Sequence, residues 1–218
     1  MNRKRVAVLI SGRGSNMSAL IEAARAPQFP AEIALVLSNR PDAQGLKRAQ
    51  EAQLATAIID HRPYGENRES FERALHEQLE AQRIELVCLA GFMRLLTPWL
   101  VERWRNRMLN IHPALLPAFK GVHTHERALA AGVKIHGATV HFVAPEMDSG
   151  PIIAQGAVPV HETDTPETLA ARVLAVEHRI YPMALRLVAE GRVRVVDGRC
   201  AIDAPAQYCD DAICAPLP

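Results

Sequence analysis

The residues best suited to chemistry lie in segment 109–117, LNIHPALLP. Asn110 and His112 are two positions apart in an apolar stretch that is typical of a β-strand, and Pro113 ends that strand. Because strand side chains alternate between faces, the amide and the imidazole leave the same face. They do so at the carboxyl end of the strand, where open α/β sheets bind ligands. The alternative is a solvated histidine before a proline turn.

A carboxylate for this pair is available in segment 145–151, PEMDSGP, which joins two later strands. If Asp148 reaches His112, it can orient the ring and raise its basicity, as general acid–base catalysis requires. The alternative is an Asp-Ser-Gly turn in which the aspartate binds its own backbone. The joint presence of Asn110, His112 and Asp148 favours catalysis.

Segment 11–16, SGRGSN, lies between the first apolar stretch and a helical pattern. Glycines let the backbone approach an anion, and a helix N-terminus favours phosphate; Ser15 or Asn16 can instead cap the helix. Met17 stands where the dinucleotide fingerprint needs a glycine, and Ser38-Asn39-Arg40 stand where an acidic residue would close the second strand. No Walker motif follows either. The segment indicates a monophosphate ester, with a simple tight turn as the alternative.

Two further segments contain residues that could bind a ligand. Segment 89–96, LAGFMRLL, follows the fourth strand and can line a flat apolar slot or pack in the core. His123 and His125 raise the question of zinc, but the remaining ligands are undefined and no HExxH accompanies them, so we expect no metal. The four cysteines lack CxxC spacing, which disfavours a zinc site or disulfide framework, and Cys88 is expected to pack as a small apolar side chain.

The composition excludes several classes of protein. The 218 residues are 49% apolar and 22% charged, with a formal net charge of +1. These values are typical of a globular protein and give no global field that favours nucleic acid or an anionic membrane. No apolar stretch reaches the ~18 residues of a membrane span, and the run behind the basic N-terminus is too short for a signal peptide. We expect a reduced, cytoplasmic protein with no nucleic-acid or membrane partner.

The elements that must position these residues alternate along the chain. Strand patterns occupy 5–10, 31–37, 55–59, 85–90 and 108–111, with helical patterns at 17–26, 45–53 and 68–82 and a connector at 97–105. Strands at 137–143 and 152–160 are close enough to pair antiparallel, and a helix over 165–190 precedes a short strand at 192–197. No pattern is reliable from Cys200 onward. The predicted fold class is α/β, with a doubly wound, mostly parallel sheet and antiparallel strands in the C-terminal half.

In this order, SGRGSN, LAGFMRLL, NIHPALLPAFKG with HTHERAL, and GATVHFV with MDSGPII resemble the phosphoribosylglycinamide formyltransferase family over residues 5–196. That family uses 10-formyltetrahydrofolate as co-substrate to formylate glycinamide ribonucleotide (GAR) in purine synthesis. The resemblance implies a Rossmann-like formyltransferase domain over 1–198 and a tail over 199–218. Within the domain it implies a nucleotide-phosphate half, about 1–110, and a folate and catalytic half, about 85–198.

The resemblance also implies residue roles. Asn110 and His112 would stabilise a tetrahedral oxyanion, and Asp148 would assist His112 and the proton transfer. GAR would be bound by Gly14, Ser15, Asn16 and Glu177. The folate would be bound by Arg68, Met93, Arg94, Leu95, Leu96, Asn110, Ala144, Pro145, Glu146, Met147 and Asp148. The expected partners are these two small molecules, without a metal, in a monomer or homodimer. A polar residue would be expected near Leu174, so that position departs from the family pattern.

Other functions fit parts of the pattern. A formyltetrahydrofolate hydrolase shares the folate site, but such enzymes carry an extra N-terminal domain, whereas the first strand here begins at residue 5. A methionyl-tRNA formyltransferase would be expected to carry a C-terminal tRNA-binding domain and more basic charge. A non-catalytic folate- or nucleotide-binding module would not need Asn110, His112 and Asp148 together. We therefore expect GAR formylation, with the hydrolase and the binding module as alternatives.

Overall fold

The computed structural model describes residues 3–203 and the backbone of residues 213–215. The chain divides into two compact units, Met1–Asn110 and Ile111–Pro218. The first unit contains β1 (Lys4–Ile10), α1 (Ser15–Ala24), β2 (Ala31–Ser38), α2 (Gln44–Glu51), β3 (Thr56–Ile58), a 3₁₀ turn (Arg62–Tyr64), α3 (Arg68–Ala81), β4 (Leu86–Leu89), α4 (Pro98–Arg103) and most of β5 (Met108–His112). The second contains the end of β5, α5 (Thr124–Ala130), β6 (Ile135–Phe142), β7 (Ile152–Pro159), α6 (Pro166–Ala189), β8 (Val193–Val196), β9 (Arg199–Ile202) and β10 (Ile213–Ala215).

The first unit is built on a parallel sheet with the strand order β5-β4-β1-β2-β3. Residues 6–10 of β1 are fully buried, as expected of a central strand covered on both faces. The chain leaves β1 toward β2 and β3 and returns to place β4 and β5 on the other side. The winding therefore reverses between β1 and β4, and the carboxyl ends of these two strands form a topological switch point. The predicted parallel, doubly wound sheet is confirmed.

The predicted connector 97–105 contains a short helix, α4. Pro98 is its first residue, a position that proline favours because it needs no hydrogen-bond donor there. Glu72 of α3 accepts a hydrogen bond from the backbone nitrogen of Thr97 at 2.7 Å and another from the Thr97 hydroxyl. Burial raises the pKa of this carboxyl, which is only 1% exposed. A side chain from the neighbouring helix therefore fixes where α4 begins, which the local sequence does not reveal.

The second unit contains the antiparallel strands, in the order β6-β7-β10. β6 and β7 pair antiparallel, as predicted, and helix α6 packs on both. The two strands approach so closely at Gly137 that a Cβ atom there would lie 2.0 Å from the carbonyl oxygen of Gly156. Glycine at this position is therefore required by the strand pairing itself.

The long helix over 165–190 is confirmed as α6. Thr165 and Thr168 bind each other's backbone in a capping box, and Pro166 occupies the first turn. β8 confirms the short strand predicted at 192–197, and it pairs with β9 in a hairpin. β9 lies where the sequence shows no reliable pattern, so this strand is not predicted from the sequence. Cys209, one of the four cysteines considered above, lies outside the described residues.

Helix α5 was also not predicted, because its seven residues show too few apolar positions to define a stripe. Across the described ranges 3–203 and 213–215, no helix combines the length and the apolar character needed to cross a bilayer.

Candidate functional site

The glycine-rich segment 11–16 forms the turn from β1 into α1. Gly14 has φ = +74° and is the residue that precedes the helix, so neither Ser15 nor Asn16 is the cap. Both begin the helix instead, where backbone N–H groups lack acceptors within the helix and favour an anion. Helix α2 stabilises the turn, because the backbone nitrogen of its Gly45 donates to the Gly12 carbonyl at 3.0 Å.

A buried polar network lies under this turn. The Ser11 hydroxyl donates to Oδ1 of Asn39 at 2.6 Å and accepts from the backbone nitrogen of Met93 at 2.8 Å. Nδ2 of Asn39 lies 3.1 Å from Nδ1 of His61, and that nitrogen also lies 2.9 Å from the Asn39 carbonyl oxygen. The network therefore ties the segments that follow β1, β2, β3 and β4 to one another.

The turn opens into a cavity of about 460 Å³ at the switch point between β1 and β4. It is lined by residues 11–16, by Asn39, Arg40 and His61, and by Ala90, Gly91, Met93 and Arg94. The lining contains three guanidinium groups, and none of the described lining residues is an aspartate or glutamate. Size, charge and position suit a phosphorylated small molecule.

In the second unit, His112 and Asp148 come together. Nδ1 of His112 lies 3.5 Å from Oδ2 of Asp148, and the histidine is only 4% exposed. Asp148 has φ = +50° and accepts a hydrogen bond from the backbone nitrogen of Gly121 at 2.8 Å. Nε2 of His112 lies 3.0 Å from the Phe119 carbonyl oxygen. Both ring nitrogens therefore face acceptors, an arrangement that accommodates a proton-carrying imidazole.

A second histidine also faces Asp148. Nε2 of His141 lies 3.9 Å from Oδ1 of Asp148, while its Nδ1 donates to the Phe142 carbonyl at 2.8 Å. Burial lowers the pKa of His141, which favours its neutral form. The carboxylate of Asp148 therefore lies between two imidazoles. Asp148 also accepts from the Gly121 backbone, so it does not form an Asp-Ser-Gly turn that binds only its own backbone.

His123 and His125 do not converge. His123 is exposed and its Nδ1 lies 3.5 Å from Oε1 of Glu126, whereas His125 packs edge-to-face on His136 at 5.3 Å between ring centroids. Burial lowers the pKa of both packed rings, that of His136 to about 4. His123 therefore faces solvent, whereas His125 belongs to a cluster of packed rings.

The remaining candidate residues occupy different settings. Met93 and Leu95 are 74% and 59% exposed, and Met147, in the β6–β7 loop, is 48% exposed. Arg68 is the exposed first residue of α3, and Leu96 is half-buried. Glu177 is buried in α6, one turn after half-buried Leu174. Ala144 is half-buried, and Pro145 and Glu146 are exposed in the same loop as Met147.

Sequence reasoning missed Asn39, His61 and Gly121 as parts of these two arrangements. Asn39 follows the second strand directly and His61 follows the third, so both stand at carboxyl ends of parallel strands. Their position at strand ends was the sequence signal that could have identified these two residues. For Gly121 there was none, because its contact with Asp148 joins two loops 27 residues apart.

Comparison with known proteins identifies the family to which the chain is related. A family model described as formyl transferase matches residues 4–185. The trifunctional purine biosynthetic protein adenosine-3 of Gallus gallus is 52% identical over 89% of this chain, which spans only 19% of that protein's length. The phosphoribosylglycinamide formyltransferase of Haemophilus influenzae is 41% identical over 93% of this chain and 95% of its own.

The fold comparison agrees. The crystal structure of glycinamide ribonucleotide transformylase 1 from Symbiobacterium toebii superposes with a TM-score of 0.89 at 48% identity, covering 92% of this chain and 94% of that one. Matches of this extent, in sequence and in fold, establish common descent over almost the whole chain. The chain belongs to the formyl transferase family.

Proposed function

We propose that this protein transfers the formyl group of 10-formyltetrahydrofolate to the amine of 5-phosphoribosylglycinamide, giving formyl-GAR in de novo purine biosynthesis. The observation that carries the proposal is the contact between Nδ1 of His112 and Oδ2 of Asp148, 3.5 Å apart in a nearly buried setting. The relatives that are named for this reaction support it. The cationic cavity at the glycine-rich turn supports a phosphorylated acceptor.

The chemistry assigns distinct roles to the three polar residues. When the amine attacks the formyl carbon, negative charge develops on the formyl oxygen, and the side chains of Asn110 and His112 stabilise that charge. The attacking nitrogen then loses a proton, and N10 of the folate gains one as its bond to the formyl carbon breaks. Asp148 holds the His112 ring and assists this proton transfer. Asn110 and His112 are alternate residues of β5, so both side chains leave one face of the strand.

The substrate phosphate is assigned to the glycine-rich turn. Gly14 lets the backbone turn tightly, and Ser15 and Asn16 place first-turn N–H groups of α1 toward an anion. Glu177 is proposed as a ligand of the same substrate, since a carboxylate can accept hydrogen bonds from hydroxyl or amine groups. Leu174 supplies no polar contact.

The folate is assigned to residues that combine apolar surface with a few charges. Exposed Met93 and Leu95, with Arg94 and Leu96, offer apolar contacts to an aromatic pterin, and Arg68 can pair a glutamate tail bidentately. The β6–β7 loop contributes in the same way through Ala144, Pro145, Glu146 and Met147. These residues fit a formyl-folate as a second substrate, and no resident metal enters the proposed chemistry.

We further propose that residues 1–198 act as one formyltransferase domain in the cytoplasm, as a monomer or homodimer with small-molecule partners only. The nucleotide-phosphate half is about 1–110, and the folate and catalytic half about 85–198.

The test follows loss of the formyl group from 10-formyltetrahydrofolate spectroscopically, with and without GAR. We expect turnover only when GAR is present, with formyl-GAR as product. Turnover without an acceptor would replace the proposal with a hydrolase. Folate binding without turnover in either mixture would replace it with a binding module.

A further inference from the structure

His61 belongs to the wall of the cavity but has no role in the function proposed above. Its ring is fixed along one edge. Nδ1 lies 2.9 Å from the Asn39 carbonyl oxygen, 3.1 Å from Nδ2 of Asn39 and 3.9 Å from Oδ1 of Asp60. Phe71 packs against the ring edge-to-face, at 6.4 Å between centroids. All three polar partners lie at Nδ1, so Nε2 is the ring nitrogen that these partners leave available to the cavity.

The network behind the ring presents both a donor and an acceptor to Nδ1. Ser11 donates its hydroxyl to Oδ1 of Asn39, which leaves Nδ2, a donor, facing Nδ1 of His61. With its hydrogen on Nε2 the neutral ring accepts from Nδ2 of Asn39, and with its hydrogen on Nδ1 it donates to the Asn39 carbonyl oxygen at 2.9 Å. In the protonated ring Nδ1 donates to the Asn39 carbonyl, and Nε2 again carries a hydrogen. The neutral ring with its hydrogen on Nε2 and the protonated ring are therefore the two forms that can donate a hydrogen bond from Nε2.

The surroundings of His61 suit an anion. Arg13, Arg40 and Arg94 line the same cavity, and the glycine-rich turn contributes backbone N–H groups at the start of α1. Asp42 partly neutralises Arg40, through a contact of 2.8 Å. Asp60 is engaged by Arg62, at 2.6 Å.

We propose that His61 binds the phosphate group of the substrate by donating a hydrogen bond from Nε2, and that Asn39 holds the ring in position through its contacts with Nδ1. The proposal rests on the proposed function for the identity of the substrate. It adds a side-chain ligand, from the end of β3, to a phosphate site otherwise formed by the turn between β1 and α1.

Two substitutions separate this role from a purely structural one. The amide nitrogen of glutamine occupies the place of Nε2, so His61→Gln keeps the donor toward the cavity and loses the contact with Asn39. The amide of asparagine corresponds to Nδ1, so His61→Asn keeps the contact with Asn39 and loses the donor. Binding of ribose 5-phosphate, with ribose as the ligand that lacks the phosphate, is measured by calorimetry without folate. The Tm of each variant verifies folding.

We expect His61→Asn to weaken ribose 5-phosphate binding about 10-fold, the usual size for a hydrogen bond to a charged group, with His61→Gln within about threefold of wild type. Ribose should not distinguish the three proteins. In the formylation assay the KM for GAR should rise about 10-fold in His61→Asn, with kcat within about threefold, because a ground-state contact is lost.

Three results would overturn the inference: wild-type binding in both variants, equal losses in both, or a loss in His61→Gln that His61→Asn does not show. The last would mean that His61 acts only through Asn39. Because ribose 5-phosphate binding does not depend on formyl transfer, a wild-type protein that binds it through His61 but makes no formyl-GAR would refute the proposed function alone.

Discussion

The carboxylate of Asp148 offers the most direct test of the catalytic assignment. We consider Asp148→Asn, which removes the charge and keeps the shape of the side chain. An asparagine can still accept the hydrogen bond that the Gly121 nitrogen donates at 2.8 Å. Asparagine also tolerates the left-handed backbone conformation, φ = +50°, that this residue adopts. The substitution therefore isolates the charge that faces His112.

The expected magnitude follows from the distance. Opposite unit charges 3.5 Å apart attract by about 5 kcal/mol at an effective dielectric constant of about 20. An amide dipole retains part of this attraction, which leaves a loss of about 3–4 kcal/mol in the transition state. That loss corresponds to a decrease in kcat of roughly 10²–10³-fold. The KM for GAR should change little, because Asp148 is not assigned to GAR binding.

The assay is steady-state formyl transfer at saturating GAR and formyl-folate, with the Tm measured alongside. Asp197→Asn is the matched control, because Asp197 is an exposed aspartate in the same left-handed conformation, φ = +49°, in the β8–β9 hairpin. It should retain wild-type kcat. A kcat for Asp148→Asn within threefold of wild type, in a folded protein, would refute the assignment of Asp148 to catalysis.

Three further predictions concern stability. Glu72→Ala should lower the free energy of unfolding by about 2–3 kcal/mol in urea denaturation, because the Thr97 nitrogen loses its acceptor, and Glu72→Gln should lower it less. Gly137→Ala should abolish the soluble folded protein, as judged by yield and circular dichroism, because its Cβ would lie 2.0 Å from the Gly156 oxygen. The pKa of His136 falls to about 4 in the fold from 6.5, so the unfolded chain binds more protons between these values, and stability should decrease as pH falls from 6.5 to 4. His136→Gln should reduce that decrease, and an unchanged pH profile would contradict the burial argument.

Periodicity predicted the parallel sheet because strands such as β1, which is buried from Val6 to Ile10, read as continuous apolar runs. It also predicted α6, whose 24 residues show a sustained apolar stripe and a visible cap. It failed for α4 and α5, which are too short to show a period. It failed for β9 as well, a four-residue strand in the two-stranded β8–β9 hairpin, which is too short to show a clear period.

The candidate site, like the fold, could be predicted from the sequence only in part. The sequence suggested that His112 and Asp148 meet because His112 ends a strand and Asp148 lies in the loop after another, and their contact is confirmed. It could not predict that the Gly121 nitrogen binds Asp148 or that His141 lies beside it, since both depend on how the loops fold in three dimensions. The roles assigned to the individual substrate-binding residues stay predictions.

The close approach of Gly14 and Gly45 limits how this cavity can be redesigned. A Cβ on Gly14 would lie 3.1 Å from the Gly45 Cα, and one on Gly45 would lie 2.6 Å from Cδ1 of Ile10. Neither glycine can therefore be exchanged to reshape the pocket without displacing backbone or core. Selection for an altered acceptor has more freedom at Arg13 and Arg40, whose exposed side chains line the cavity and can change in length or charge while the turn beneath them stays the same.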